Sequence, residues 1–494
     1  MGNSAGATVD GSPGPSAHRP PLPDGLIAVV KRDCPTCELV VPVLEQLAEA
    51  GPLTVYTQDD PAFPESVAAT DDTRLAFSWH HDIETVPTLI LARDGKEEDR
   101  TVGWSRPHWE KLTGVDDLGP DLPEFRPGCG SLSVDPSLTS KLAVRFGGSV
   151  LQSRRVELAR LEDPFEAAFD RGWTDGLPVV PPTEARVMAM LEGTSRAADD
   201  VVAEIPPDLH EATVEQIAIN AVMAGCRPEY LPVVLAAVEA ACTQEFNMHG
   251  LLATTFFSGP ILVVNGPIAK RLGMNSGGNA FGQGNRANMT IGRALQLVVR
   301  NLGGGRPGEV DMAMLGSPGK LSFCFAEREH DSPFSSLAAE RGFGPYADTV
   351  TVFAGSGPTA IIDQISRTPE SLVRSLAACL RSTGHPKLAM GFDAMLVVSP
   401  EHGRIFAQAG WDKDRLRAEL DELLTMSGAE MVRGVDGIEE GLPEAFADEQ
   451  VPKFRPGGLQ IVHAGGDAGL FSAVLDGWVG GNIGSVPVTV EIRP

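Results

Sequence analysis

Between Gly273 and Gly308 ten glycines are interleaved with Asn275, Asn279, Asn285, Arg286, Asn288 and Arg293, a few residues after the apolar run Pro260-Ile261-Leu262-Val263-Val264-Asn265. Glycine at this density destabilises the interior of a helix or a strand, so the first half of the stretch reads as loop. The β-branched and leucine content of the run before it predicts a buried strand. After the loop, Ile291, Leu295, Val298 and Val299 recur at helical spacing, which predicts a helix over Thr290 to Asn301. A strand, a glycine-rich turn and a helix in that order point to an α/β architecture.

The loop also carries chemistry. Glycines allow close backbone approach, while asparagine amides and guanidinium forks match the geometry of a carboxylate or phosphate. The stretch is therefore read as the seat of a small anionic substrate, with Asn285, Arg286 and Asn288 as direct donors. An ordinary structural turn is the competing reading. No Walker A spacing occurs, and Gly282-Gln283-Gly284-Asn285-Arg286-Ala287 does not follow directly on a strand as a dinucleotide fingerprint does.

At 494 residues the chain exceeds what one hydrophobic core serves, so two or three domains are expected. A formal net charge of −26 disfavours nucleic acid and anionic membrane surfaces as partners. No run of 18 apolar residues occurs, which argues against a transmembrane span. Residues 1–24, rich in Gly, Ser, Pro and Ala without an apolar segment, are expected to be a disordered tail. Seven cysteines, an odd number over a long chain, favour a cytoplasmic location with reactive or buried thiols over a disulfide scaffold.

Two of those cysteines stand at a strand-to-helix junction. The apolar run Leu26 to Val30 is followed by Lys31-Arg32-Asp33-Cys34-Pro35-Thr36-Cys37 and then by a helical pattern through Leu39, Val43, Leu44 and Leu47. This places Cys34 at a helix N-terminus, where unpaired N–H groups favour thiolate, with Lys31 and Arg32 alongside. Cys34 is the expected attacking thiol and Cys37 the resolving one. The pair lacks a second Cys/His pair at ligand spacing, so neither a metal nor a cofactor is expected.

Over residues 25 to 112 these features resemble the thioredoxin-like family. Thr85-Val86-Pro87-Thr88-Leu89-Ile90-Leu91, followed by Asp94-Gly95, is similar to that family's cis-proline loop, next strand and hairpin turn. The resemblance implies a cis Pro87 lying against Cys34 and Cys37, and a helix kinked near Pro42. It gives a thioredoxin-like domain over 25–114. The Pro-, Gly- and Asp-rich segment 115–164 then reads as a surface linker carrying Cys129 between glycines, as an accessible thiol and a partner for Cys34.

In the larger region, Asp163-Pro164-Phe165 starts a helix, and Thr213-Val214-Glu215-Gln216 caps another that Gly225 closes. Cys226, beside Arg227 and the next helix start, is a further candidate low-pKa thiol and the alternative to Cys129 as the disulfide partner of Cys34. Glu327, Glu329 and Asp331 around His330 read as a solvated face. The run Leu459 to His463 is expected to be a strand leading through Gly465, Gly466 and Asp467, a candidate anion seat, into a helix over Leu470 to Leu475. Asn220 to Tyr230, Phe281 to Asn288 and Gly465 to Ser472 resemble the C-terminal region of the bacterial UGSC (seleno)protein family, across residues 165–494. That family is named for a (seleno)cysteine-Gly-Ser-Cys motif, and Cys129-Gly130-Ser131-Leu132 keeps its first three positions. The resemblance implies redox or thiol-nucleophile chemistry.

The sequence thus predicts a thiol-dependent oxidoreductase, in which Cys34 and Cys37 serve chemistry on a small anionic substrate in the C-terminal domain, with a thiol reductant as partner. Two alternatives stand beside it. One is a lyase or transferase whose thiol pair maintains an active cysteine. The other is a small-molecule binding protein switched by its redox state.

Overall fold

The computed structural model describes residues 19–135 and 162–494, with positions 138, 139, 142, 146, 151–154, 156, 158 and 159 between them. The chain divides into two compact units, Met1–Val150 and Leu151–Pro494. It is an α/β protein throughout.

In the first unit a five-stranded sheet has the order β3-β2-β1-β5-β6, with β1 Gly25–Val30, β2 Leu53–Thr57, β3 Ala69–Asp71, β5 Thr88–Arg93 and β6 Lys96–Val102. β1 runs parallel to β2 and antiparallel to β5. As a central strand covered on both faces, it is a continuous apolar run whose residues Ile27 to Val30 are fully buried. Helix α1, Pro35–Leu39, follows it and breaks at Val40 before α2, Val41–Ala50. Pro42, lacking an N–H and clashing with the turn before it, cannot continue α1.

Two expectations for this unit change. Residues 1–18 of the expected tail lie outside the described residues. Residues 19–24 pack on the unit: Leu22 joins the core, Pro20 O meets His81 Nε2 at 2.8 Å, and Asp24 accepts from Gly95 N. Nor is the start of the segment read as a surface linker free. After α4, Arg106–Thr113, the Arg106 guanidinium donates to Leu118 O, Gly119 O and Leu122 O, and Trp104 Nε1 donates to Pro123 O at 2.6 Å. Its prolines and glycines shape a backbone whose carbonyls serve buried donors.

In the second unit a seven-stranded sheet has the order β13-β12-β14-β19-β15-β18, with β20 also on β14. The strands are β12 Gly259–Asn265, β13 Cys324–Ala326, β14 Thr349–Ile362, β15 Phe392–Val398, β18 Leu459–His463, β19 Phe471–Val479 and β20 Val488–Glu491. Small hairpins pair β10, Val201–Ile205, with β11, His210–Thr213, and β16, Thr425–Ser427, with β17, Gln450–Pro452. The order is a mirror about the β14/β19 pair. β12 is parallel to β13 and antiparallel to β14, just as β15 is parallel to β18 and antiparallel to β19. Two strand-helix-strand units, each with a long returning strand, thus form the sheet. Its edges approach where Arg328 N donates to His463 O at 2.8 Å.

The helix Val214–Ala224 has the expected N-cap at Thr213, which the structure shows as a capping box with Gln216, and ends at Gly225 with φ 91°. Of the predicted helix at Leu470 to Leu475, Phe471 to Leu475 instead belong to β19. Its apolar run lies between β14 and β15 and pairs with both, so the sheet decides its conformation.

Candidate functional site

In the first unit the turn from β1 to α1 is fixed by Asp59, whose carboxylate accepts Arg32 N at 2.7 Å and Asp33 N at 2.8 Å. Cys34 follows in extended conformation as the N-cap of α1, and its sulfur accepts Cys37 N–H at 3.3 Å. The C-x-x-C spacing places both side chains on one face of the helix start. Cys34 and Cys37 approach each other to 3.0 Å without forming a disulfide. The Val86–Pro87 peptide bond is cis, and the Cys34 thiol, when protonated, donates to Val86 O at 3.6 Å.

Cys129 completes the cluster. Strand β9, Cys129–Gly130, pairs antiparallel with β4, Thr85–Val86, so that Cys129 stands opposite Val86 and Gly130 opposite Thr85. Thr36 Oγ1 holds Pro127 O at 2.7 Å, and Ser131 N donates to Glu84 O at 2.9 Å. A Cβ on Gly128 would collide with Thr85 Cγ2 and would come to 2.8 Å from Val86 O, so only glycine allows this approach. Strand pairing within the unit therefore brings Cys129 beside Cys34, near enough for each thiol to shift the other's pKa.

These contacts set the charge. The Cys34 pKa is held down at about 5, first by the Cys37 thiol, then, against the opposing effect of burial, by the Cys129 thiol and the N–H groups of Cys37 and Thr36. Cys37 moves far upward, because it is buried and because it donates to the Cys34 sulfur. Cys129 is raised for the same two reasons. One thiolate thus sits between two thiol donors. The expected help from Arg32 is not what lowers Cys34: its guanidinium is bound by Asp60 at 2.5 Å and Glu65 at 3.2 Å.

The predicted residues of the second unit are placed differently. Cys226 is buried, donates to Thr290 O at 3.3 Å, and burial pushes its thiol up to about 12, so the expected low-pKa environment is absent. Desolvation outweighs any effect of the neighbouring helix start. The asparagines of the loop bind the loop itself. Asn288 Nδ2 donates to Asn275 O at 2.8 Å and Ala280 O at 3.2 Å, while its Oδ1 accepts Asn275 N. Asn285 caps the helix Arg286–Asn301 and donates to Gly273 O, Asn275 bridges Gly277 N and Gly278 O, and Asn279 donates to Gln283 O. Arg293 is bidentate to Asp175 at 2.7 and 2.8 Å. Arg286 stays exposed, with Nε on Gly225 O at 2.9 Å.

The second glycine turn lies against the first, Gly465 N donating to Ser276 O at 2.9 Å and Gly466 packing on Gly278. Asp467 accepts from Arg328 at 2.6 Å, and Arg328 also binds Asp331 and Gly465 O. The acidic cluster is a solvated face only at His330 and Asp331, which are exposed. Glu327 is buried, accepting from Asn265 Nδ2 and Leu337 N at 2.7 Å each, and Glu329 accepts from Gly266 N at 2.8 Å.

Sequence reasoning missed Asp59 and also Gln58, which donates to Ser131 Oγ at 2.7 Å and accepts Leu132 N, fixing the strand that bears Cys129. Neither residue belongs to a motif. It also missed a cavity of about 510 Å³ in the second unit, walled by Trp173, Val187, Met223 and Leu302 with Asn220 and Asn301 at its polar edge. None of the predicted site residues lines it. No protein-family model matches the chain, and no curated protein matches it.

Proposed function

We propose that the protein is a thiol–disulfide oxidoreductase whose reacting atom is the Cys34 sulfur. The observation that carries this reading is the placement of Cys34 at the N-cap of α1, accepting Cys37 N–H, 3.0 Å from Cys37 and beside the cis Val86–Pro87 bond, surroundings that hold its thiol down at about 5. A thiolate attacks a disulfide R–S–S–R, forms a mixed disulfide and releases RS⁻. When Cys34 enters that bond its negative charge is gone, and with it the part of the Cys37 shift that the Cys34 thiolate causes. Cys37 can then give its proton to the departing thiolate and displace the second RS⁻, closing a Cys34–Cys37 disulfide. A dithiol reductant reverses the sequence. The resemblance of residues 25 to 112 to the thioredoxin-like family, and of Cys129-Gly130-Ser131 to the UGSC motif, supports the same chemistry, and the proposal includes a cytoplasmic setting in which thiols stay reduced.

Equilibration with oxidised and reduced dithiothreitol, followed by peptide mapping, tests the reading. A Cys34–Cys37 disulfide is the expected product. Free thiols at both positions under fully oxidising conditions would overturn it.

A second reading concerns the substrate of the larger unit. Binding of a small anion at the glycine-rich loop is favoured by the exposed Arg286 guanidinium, the loop's other predicted donors being engaged within the protein. Titration with inorganic phosphate and with a dicarboxylate, on wild-type and Arg286→Ala protein, measures it.

A further inference from the structure

The three sulfurs differ in access. Cys34 and Cys37 are 1% and 0% exposed, whereas Cys129 is only partly buried. The strand that carries Cys129 is no loose flap, since it is paired to β4, held by Thr36 and Gln58, and wedged at Gly128 against Thr85. Disulfide exchange needs the attacking sulfur to line up with the S–S bond of its partner, and access sets its rate as much as nucleophilicity does. The most nucleophilic sulfur of the cluster is thus covered by a less nucleophilic one that reaches solvent.

We propose that Cys129 is the sulfur that meets external disulfides, and that it passes them to the buried Cys34–Cys37 pair through a Cys34–Cys129 disulfide. This rests on the thiol–disulfide reading above. The Cys129 proton moves to the neighbouring Cys34 thiolate, and the resulting Cys129 thiolate attacks R–S–S–R, forming Cys129–S–S–R and releasing RS⁻, which takes the proton back from Cys34. The Cys34 thiolate attacks Cys129 Sγ and expels the second RS⁻. Cys37 gives its proton to that thiolate, attacks Cys34 Sγ, and releases the Cys129 thiolate. The partner gains two electrons and becomes two RSH, the buried pair loses two and becomes a disulfide, and Cys129 ends as it began once water reprotonates it.

The probe is the aromatic disulfide 5,5′-dithiobis(2-nitrobenzoate), mixed with reduced full-length protein near neutral pH in a stopped-flow instrument. In protein whose half-buried Cys242 and Cys379 are both replaced by Ser, Cys129→Ser should slow the first release of thionitrobenzoate by about tenfold or more, because the remaining sulfurs are buried. Cys34→Ser in the same background, lacking the thiolate that takes the Cys129 proton, should react more slowly than the Cys34-containing protein and stop at a mixed disulfide, which peptide mass mapping should place on Cys129. An undiminished rate in Cys129→Ser, or an adduct in Cys34→Ser at any cysteine but Cys129, would overturn the proposal. Should Cys129→Ser fail to fold, the adduct mapping in Cys34→Ser decides alone. Oxidised dithiothreitol separates this outcome from failure of the underlying reading. A Cys34–Cys37 disulfide in the wild type with an unchanged Cys129→Ser rate removes the entry role of Cys129 and leaves the redox pair. Absence of that disulfide removes the pair itself and the relay with it.

Discussion

The three-thiol cluster and the loop from Gly273 to Asn288 are both rich in side chains able to act on a ligand, and they differ in how those groups are spent. In the loop the donors of Asn275, Asn279, Asn285 and Asn288 end on the loop's own backbone. In the cluster the hydrogen bonds converge on one sulfur and charge it, which leaves it ready to attack a disulfide near neutral pH. Polar groups satisfied internally rigidify a structure, whereas groups held in a costly state are the ones poised to react. A motif therefore reads as chemistry only when its partners leave something unfinished.

The largest expected effect is at the sulfur itself. Cys34→Ser should abolish formation of the Cys34–Cys37 disulfide while leaving the fold intact, as mapped disulfides and far-ultraviolet circular dichroism would show. In the wild type, the ultraviolet absorbance of the Cys34 thiolate should titrate with a pH midpoint near 5, and iodoacetamide should leave the buried Cys226, pushed up to about 12, unlabelled in the folded protein. The sign for stability follows. With a folded-state pKa below that of a free thiol, the Cys34 thiolate stabilises the reduced form fully above the unfolded value of 9.0 and loses this as pH falls through about 5. The melting temperature of the reduced protein relative to the oxidised one should therefore decline as the solution is acidified from neutral pH to below 5. A difference that does not change with pH would put the thiolate elsewhere.

Next in size is Arg293, which the comparison assigns to structure. Its bidentate partner Asp175 has a side chain 9% exposed, and truncation of one member of such a pair costs about 3–5 kcal/mol. Burial raises the Asp175 pKa, and the pair with Arg293 more than reverses this, so the net shift is downward. The pair's contribution is accordingly complete above the unfolded value of 3.8 and is lost as pH falls through the lower folded value. Arg293→Ala should lower the denaturation midpoint strongly at neutral pH and progressively less below about pH 4. A large loss of anion affinity with stability unchanged would return Arg293 to the ligand side.

How much of this was legible in the chain depends on range. The strand, C-x-x-C and helix start from Leu26 to Leu47, and the capped helix from Thr213 to Gly225, are local patterns, and the structure has them where the pattern falls. The cover over Cys34 is not local. Cys129 reaches Val86 through a strand pair of two residues on each side, fixed by Gln58, Thr36 and Gly128, which carry no common motif. The segment from Phe471 fails for a related reason: its residues suit a helix or a strand, and pairing with β14 and β15 decides between them. Glu327 is misread because a buried carboxylate becomes acceptable only with the Asn265 amide and Leu337 N–H in place.

A moderate effect is expected at Asn288, fully buried and bonded to three loop backbone groups. Asn288→Ala leaves those groups without their partner, at a cost of about 1–3 kcal/mol, and should lower the denaturation midpoint while disulfide formation at Cys34 continues. Faster hydrogen exchange at Asn275 N would localise the damage. Unchanged exchange there would mean that the glycine-rich loop keeps its shape without this side chain.

The smallest effect on stability, and the sharpest test of the contrast, belongs to Arg286. Its guanidinium is exposed and its bond to Gly225 O can be replaced by water, so Arg286→Ala should change stability by no more than about 0.5 kcal/mol. Binding behaves differently if the guanidinium meets an anion there. A hydrogen bond to a charged group contributes about 1.5–3 kcal/mol, so the same variant should then weaken affinity for phosphate or a dicarboxylate roughly ten- to a hundredfold. The two measurements separate cleanly because Arg286 lies at the start of its helix, where the Asn285 cap persists in the variant. Lost affinity with unchanged stability would make the loop a scaffold that leaves one donor unfinished, as the sulfur cluster does. Unchanged affinity would leave the asparagine network as architecture alone and turn attention to the cavity beside Trp173 and Asn301.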